Sequence, residues 1–352
     1  MSKILEKCVT QLCDFLSVSE LFNPRSIKLS SKSFNYNCPL KVCNDIQAGM
    51  EQINLTGAIF LDFAKAFDTV DHVILLQKRK NSGIGDSTLT WFQSYVSDRS
   101  QYVSISDSSS LPLPVTCGVP QGSILSPLLF TIFINDLPNV CKASTVYMYA
   151  DDTVVYTSKP NLPQLEEVLR EQFTGVEKWI ADNKCFLNTD KNVTMLFGTA
   201  PKLHKLQTPH LCVRTRSNNM LTTVTSLKYL GMWLDPNLSF GPHIEKLSSK
   251  LYPKLGALYR NKSFLRPAVR KQIVQQVLMP AIEYGDVVYA AAPQTHLQKL
   301  TTLYNSFCRF VLQCNYMTHH CDMLNWPSLD SRHTLHLSNL VFKSFLGSYH
   351  PT

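Results

Sequence analysis

No two cysteines are spaced as a CxxC pair, no apolar run is long enough to cross a membrane, and no tract is repetitive or of low complexity. Each absence excludes a class of protein. The eleven cysteines are an odd number, so a disulfide framework is a poor reading. They read instead as reduced, small hydrophobic residues of an intracellular protein, with Cys117 beside Gly118 and Cys308 beside Phe307 in apolar settings. The cluster Cys314, His319, His320 and Cys321 follows no common zinc-ligand spacing and reads as a loop. The most apolar stretch, Leu125 to Ile134, is about half of the roughly 20 residues a membrane helix needs. The opening MSKILEKCVTQLCDFL has no long apolar centre and no small-residue cleavage site, so it does not read as a secretory signal. A membrane partner is not expected.

What is present reads as a globular protein. With 44% hydrophobic and 17% charged residues over 352 positions, the chain can bury a sizeable core and has room for two domains. The net charge is +8, which suits a polyanionic partner without proving one. Its distribution is more telling. Residues 241–280 hold eight basic side chains (Lys246, Lys250, Lys254, Arg260, Lys262, Arg266, Arg270, Lys271) against Glu245 alone, a net of +7.

Periodicity places helices at about 4–16, 72–81, 87–97, 123–136, 162–183, 241–261, 267–279, 295–313 and 333–347. Strands are expected at 57–61 (GAIFL), at 101–105 and 113–117 around the DSSS turn, at 193–197, and around a turn at 227–234. The run STVYMYADDTVVYT reads as strand, tight turn, strand. Residues 22–39 show no regular pattern. The chain is therefore mixed α/β and then helical, with a composition shift near 236–242 (DPNLSFGP) as its best boundary.

Three blocks carry chemistry. Asp62 ends an otherwise apolar strand, where a carboxylate is costly unless it is paired or binds metal. YADD at 149–152 puts Asp151 and Asp152 at a turn between two strands. If those strands neighbour that of Asp62, three carboxylates converge at one sheet edge. Such a cluster suits two Mg²⁺ ions, which are hard and take oxygen ligands. GVPQGSILSP at 118–127 is a tight loop leading into a helix. Taken singly, each has a plainer reading: Asp pairs are common at turns, Asp62 could cap a helix, Asp68 and Asp71 read as solvated or capping acids, and a Gly-rich loop is only a loop.

In this order, FLDFAKAFDTVDH, GVPQGSILSPLLF, YADDT, LNTDKNVTMLF and LKYLGMWLD resemble the successive palm motifs and primer-grip hairpin of reverse transcriptases. The wording is most similar to non-LTR retrotransposons of the LINE and jockey-like kind, and KLYPKLGALYR with VLMPAIEYGDVVYAA resembles the region behind their polymerase. The resemblance implies an α/β (α+β) right-hand polymerase palm with a ferredoxin-like antiparallel sheet. Residual fingers would occupy 1–56, the palm 57–235, and a helical thumb with the C-terminal region 236–352. It implies RNA-directed DNA polymerisation with an RNA template, a DNA primer and dNTPs, and two Mg²⁺ ions with Mn²⁺ as a possible substitute. Asp62, Asp151 and Asp152 would be the catalytic metal ligands. Phe67 would be the aromatic gate against a ribose 2′-hydroxyl, with a core phenylalanine as the alternative. Phe63, Ala64, Lys65, Gln121 and Lys191 would face the nucleotide, although Lys65 and Lys191 could be solvated. Gly118, Pro120, Gly122 and Ser123 would lie at the template, and Lys246, Lys250, Lys254 and Arg260 would meet phosphates. Tyr252, Tyr259 and Phe264 could stack on nucleic acid or pack in a core.

The resemblance also has gaps. An RPISL-like fingers segment is missing before SKILEK, and KLSSKSFN at 28–35 replaces a fingers motif whose arginine would touch the triphosphate. No endonuclease or ribonuclease H pattern is read. The chain therefore reads as an N-terminally truncated copy, and a catalytically inactive remnant that only binds nucleic acid stays open as the alternative. A viral RNA polymerase fits less well, because Phe67 argues against it. Location in the nucleus or in cytoplasmic ribonucleoprotein is an expectation from the resemblance alone.

Overall fold

The computed structural model describes residues 37–81, 86–123, 125–188, 190–206, 209–314 and 323–345. The helix expected at 4–16, the segment 28–35, and His319, His320 and Cys321 lie outside these residues.

Helix α1 (Asn37–Glu51) leads into strand β1 (Leu55–Asp62), followed by α2 (His72–Asn81) and α3 (Asp86–Val96). Four short strands follow: β2 (Arg99–Gln101), β3 (Ser104–Ile105), β4 (Ser108–Ser109) and β5 (Leu113–Val115). Then come α4 (Leu125–Ile134), β6 (Thr145–Tyr149), β7 (Asp152–Lys159), α5 (Leu162–Asp182), β8 (Val193–Phe197), α6 (Ala200–His204) and β9 (Thr222–Thr223). A hairpin of β10 (Leu227–Tyr229) and β11 (Met232–Leu234) precedes the helical part. That part holds α7 (Gly241–Arg260), α8 (Pro267–Ile273), α9 (Met279–Glu283), α10 (Asp286–Tyr289), α11 (Gln294–Leu312) and α12 (Leu329–Phe345).

The central sheet runs β6-β7-β1-β8-β9 and is antiparallel except for the β8–β9 pair. Strand β1 lies in its middle and is buried at every position but Asp62, which is why its sequence shows a continuous apolar run rather than alternation. The alternation is real but hidden by burial on both faces. Ile59, Leu61, Val146, Met148, Val155 and Leu196 join a core with α2 to α5. Ala58, Phe60, Tyr147, Val154, Tyr156, Met195 and Phe197 join a second core with α1, the β10–β11 hairpin and the C-terminal helices. The helical region thus shares a core with the back of the sheet. The long helices α7 and α11 each bury an apolar stripe that would be marginal alone.

Local chemistry sets the ends of the elements. Asp71 Oδ1 accepts from Ile74 N at 3.0 Å and opens α2. Asn161 Oδ1 accepts from Gln164 N at 3.0 Å and opens α5. The β10–β11 turn uses Leu230 and Gly231, both at positive φ (44° and 86°), as a two-residue hairpin turn matched to strand twist requires. Tyr284 Oη donates to Leu230 O at 2.7 Å, and a Cβ on Gly231 would meet the Tyr284 ring at 2.9 Å. In the segment after β11, Asp235 accepts from Ser239 N and Phe240 N at 3.0 and 2.8 Å.

Several expectations change. Helix α1 was not foreseen, although Cys38, Val42 and Ile46 recur at four-residue steps and are fully buried. The strand expected over 101–105 is broken. Only Arg99–Gln101 pairs with β5 and only Ser104–Ile105 pairs with β4, and the region is exposed, so no core enforces one register. The helix expected over 267–279 continues to Glu283 through a π-helical turn at Val274–Leu278, just before Pro280, which cannot donate to the turn behind it. Cys117 is exposed rather than buried, whereas Cys38, Cys43, Cys141, Cys185 and Cys308 are buried and unbridged.

Candidate active site

Asp62 is the last residue of β1 and stands directly opposite Asp152, the first residue of β7. Tyr149 faces Asp152 from the other side. The two-residue turn Ala150–Asp151 closes the hairpin, with Ala150 at φ 52°. Left-handed backbone is costly for a residue with a Cβ, and the tightness of this turn keeps Asp151 beside Asp152. Like charges directly opposite on a sheet repel. Lys191 answers part of that charge, with Nζ 3.0 Å from Asp62 Oδ2. Asn192 holds the strand end by accepting from Asp62 N at 2.9 Å, and Asn188 N donates to Asp62 O at 2.9 Å.

The uncompensated charge falls on Asp152. Its packed surroundings first, then Asp151 and Asp62, push its carboxyl up to about 6, with Lys191 opposing. An acid whose folded pKa is raised releases its proton first in the unfolded chain. The folded state therefore loses stability as pH rises from 3.8 to about 6, and the full penalty stands above that. Because the carboxylate keeps contact with water, the penalty is on the order of 1 kcal/mol. Asp152→Asn is expected to raise the melting temperature by roughly 2 °C at pH 7.5 and not at pH 3.5. An equal gain at both values would refute the repulsion.

A cleft of about 250 Å³ opens in front of the carboxylates, lined by Asp62, Phe63, Ala64, Lys65, Ala66, Phe67, Asp68, Gln121, Asp151, Asn188 and Lys191. Thus Phe63, Ala64, Lys65, Phe67, Gln121 and Lys191 are brought together with two of the three aspartates. Phe63 is buried, with its ring centroid 6.3 Å from that of Phe130. Phe67 is half-buried, tilted on Phe130 at 5.1 Å, and lies in a turn, not on a helix. Lys65 is exposed at φ 49°. Ala64 N donates to Phe186 O at 2.8 Å, so that amide is already engaged. Asp68 accepts from Gln121 Nε2 at 2.9 Å. Asp71 caps α2 and pairs with Lys184 at 2.7 Å. Burial pushes its carboxyl up, but Lys184 and the Ile74 amide outweigh that and hold it below the usual range.

The loop residues divide. Gln121 and Gly122 are exposed, Pro120 is half-buried, and Ser123 is held by Tyr95 Oη at 2.7 Å while accepting from Leu125 N. Gly118 is buried at φ 85°, where a Cβ would meet Asp68 O at 2.8 Å. The close approach that requires a glycine here is to the protein's own backbone. The hairpin residue Tyr229 lies beneath the site, edge-on to Phe60 at 5.4 Å and 3.0 Å from Cys38 Sγ. Burial pushes the Cys38 thiol up to about 12, so it is no nucleophile.

On α7, Lys246, Lys250 and Lys254 lie one turn apart and are exposed, as is Arg260. Lys246 Nζ sits 3.6 Å from the Trp233 ring centroid. Tyr252 is exposed, Tyr259 packs edge-on against Phe310 at 5.2 Å, and Phe264 is 85% exposed rather than a core residue. Arg270 leaves the basic group entirely. It is buried and donates to Phe310 O at 3.3 Å.

Three carboxylates offering hard oxygen donors, with excess negative charge, fit a divalent metal. Among the described residues no three acidic, histidine or cysteine side chains are already gathered as a metal cage. The fit therefore rests on charge and donor type. Asn188, Asn192 and His72 were missed by sequence reasoning. The asparagines lie in the LNTDKN segment, from which only Lys191 was singled out.

A sheet that presents opposed aspartates to a cleft shared with a lysine and an aromatic ring is suited to phosphoryl transfer. The chain belongs to the reverse transcriptase (RNA-dependent DNA polymerase) family, whose model matches residues 1–234. It is 28% identical over 279 residues to the RNA-directed DNA polymerase from mobile element jockey of Drosophila melanogaster, covering 75% of this chain and 29% of that protein. It is 28% identical over 301 residues to the probable RNA-directed DNA polymerase from transposon BS of the same species, covering 80% and 32%. The chain thus spans about a third or less of these relatives' length. Among solved structures, apo telomerase from Candida tropicalis truncated from its C-terminal domain aligns with a TM-score of 0.46 and 13% identity, over 65% of this chain and 43% of that one. No described helix is long and apolar enough to cross a membrane.

Proposed function

We propose that this chain is the polymerising part of a retroelement reverse transcriptase, adding dNTPs to a DNA primer on an RNA template. The observation that carries the reading is the register that sets Asp62 against Asp152, beside Asp151, at the mouth of a cleft containing Phe67, Gln121 and Lys191. Asp62, Asp151 and Asp152 would hold two Mg²⁺ ions, or Mn²⁺ in their place. When bound, such ions stabilise the attacking 3′-oxygen and the leaving pyrophosphate oxygen.

The chain's own residues do the rest. Lys191, released from Asp62, offers a cation to the pyrophosphate. Phe67, which lines the cleft and packs on Phe130, would be the ring that leaves no room for a 2′-hydroxyl. Gln121, which lines the same cleft as Asp62, would face the templating base. Lys246, Lys250, Lys254 and Arg260 form an exposed row that meets duplex phosphates without reading sequence. Action in the nucleus or in a cytoplasmic ribonucleoprotein is part of this proposal.

The test is primer extension on poly(rA)/oligo(dT) with Mg²⁺, using the protein and its Asp151→Ala, Asp152→Ala double variant. Extension by the wild type alone, with dTTP preferred over UTP, is expected. A wild type that binds the RNA–DNA hybrid but extends nothing would favour a binding-only remnant. Equal use of UTP would remove the gate role from Phe67.

A further inference from the structure

The turn that carries Phe67 and the loop that carries Gln121 are stitched together. Gly118 N donates to Val70 O and Val119 N to Phe67 O, each at 2.8 Å. Asp71 and Cys117 form an antiparallel bridge. One side chain joins this seam from within: His72 Nε2 lies 2.7 Å from Gly118 O and is buried. A carbonyl can only accept, so Nε2 carries the proton.

The Gly118 carbonyl and the Val119 N–H belong to one planar peptide unit. His72 grips its oxygen end and Phe67 O grips its N–H end, so the plane is clamped on both sides. Gly118 is the flexible joint beside that plane, free of a Cβ and at φ 85°. Without His72 the peptide could swing about this joint, and the tie to the Phe67 backbone would go with it. The loop's far side is held independently, since Ser126 Oγ donates to Pro120 O. Gln121 is also tied to Asp68 Oδ1 at 2.9 Å, so a loss at His72 is felt at the Phe67 turn rather than along the whole loop.

We infer that His72 is a positioning residue for nucleotide selection, clamping the Gly118–Val119 peptide so that Phe67 holds a fixed place in the cleft. The inference rests on the polymerase reading above. It predicts a defect in which nucleotide is accepted, since a misplacement of a fraction of an ångström at a positioning group costs most in selectivity and affinity.

Steady-state extension of oligo(dT) on poly(rA) by wild type, His72→Ala and His72→Gln tests this, with dTTP and UTP as competing substrates. His72→Ala is expected to raise KM for dTTP about tenfold, to change kcat less than threefold, and to weaken the preference for dTTP over UTP about tenfold. His72→Gln, whose amide can donate to the same carbonyl, should recover most of both. Thermal melts identify folded variants. If His72→Ala does not fold, His72→Asn, too short to reach the carbonyl, replaces it. An active wild type with a folded variant whose KM and sugar preference are unchanged, or whose kcat alone falls, overturns the inference while sparing the polymerase reading. A wild type that extends nothing overturns both.

Discussion

Asp62→Asn is expected to reduce primer extension by on the order of 10³-fold while the protein still melts cooperatively, within about 2 °C of wild type. The reason is that Asp62 serves charge rather than packing. Its backbone is held by Asn192 Oδ1 and by Asn188 N, and an asparagine keeps both contacts. What disappears is one negative charge facing Asp152. Losing it relieves a repulsion and frees the exposed Lys191 from a largely solvent-screened ion pair. These two changes act in opposite directions on stability and nearly cancel. For a divalent ion the loss is not balanced, because a neutral amide is a far poorer partner than a carboxylate. Extension rates per folded molecule, measured beside thermal melts, check both halves. A variant within tenfold of wild type would show that Asp62 is not among the groups that hold the metals.

The largest expected effect on stability lies elsewhere. Lys78 is mostly buried between α2 and α4, with Nζ donating to Asp136 Oδ1 and to Phe133 O at 2.7 Å each. It also stands 4.5 Å from the Trp179 ring centroid. Trp179 Nε1 donates to the same Asp136 oxygen at 3.1 Å. Burial pushes the Lys78 amine below its usual range, and Asp136 opposes that. Asp136→Ala removes the counter-charge of a buried ammonium and the acceptor of a buried indole together. Stranding buried donors in this way costs about 3 kcal/mol, a fall of roughly 5 °C in melting temperature for a chain of this size. Asp136→Asn keeps an acceptor and should lose less than half as much. A shift under 1 °C for the alanine variant would mean that Lys78 finds an equal partner.

These two aspartates mark how much could be read in advance. Asp62 was legible because it breaks an apolar run, and a charge in that setting needs a reason. Asp136 sits in a polar bend after α4, where a carboxylate needs none. Its importance depends on Lys78 and Trp179, which are 58 and 43 positions away. Arg270 shows the reverse error. It was counted with the basic run over 241–280, yet it is buried in the helical part. Charge counting along a helix cannot tell its faces apart when polar and apolar residues are mixed. Phe264 erred in the other direction, since a large ring suggests a core and this one is 85% exposed.

Sequence alone determined the family and the strand–turn–strand around YADD, and it singled out the carboxylates proposed above as metal ligands. The family rests on the likeness of the motifs in their order, and the hairpin on local rules: a tight turn between two apolar strands. Tertiary structure alone decided that Asp62 and Asp152 stand opposite each other, that Lys191 meets Asp62, and that His72 closes on Gly118. It also decided that the C-terminal helices share a core with the back of the sheet. Each of these is a pairing across dozens of residues, set by register and two-sided burial, and neither leaves a mark in the local pattern of any one segment.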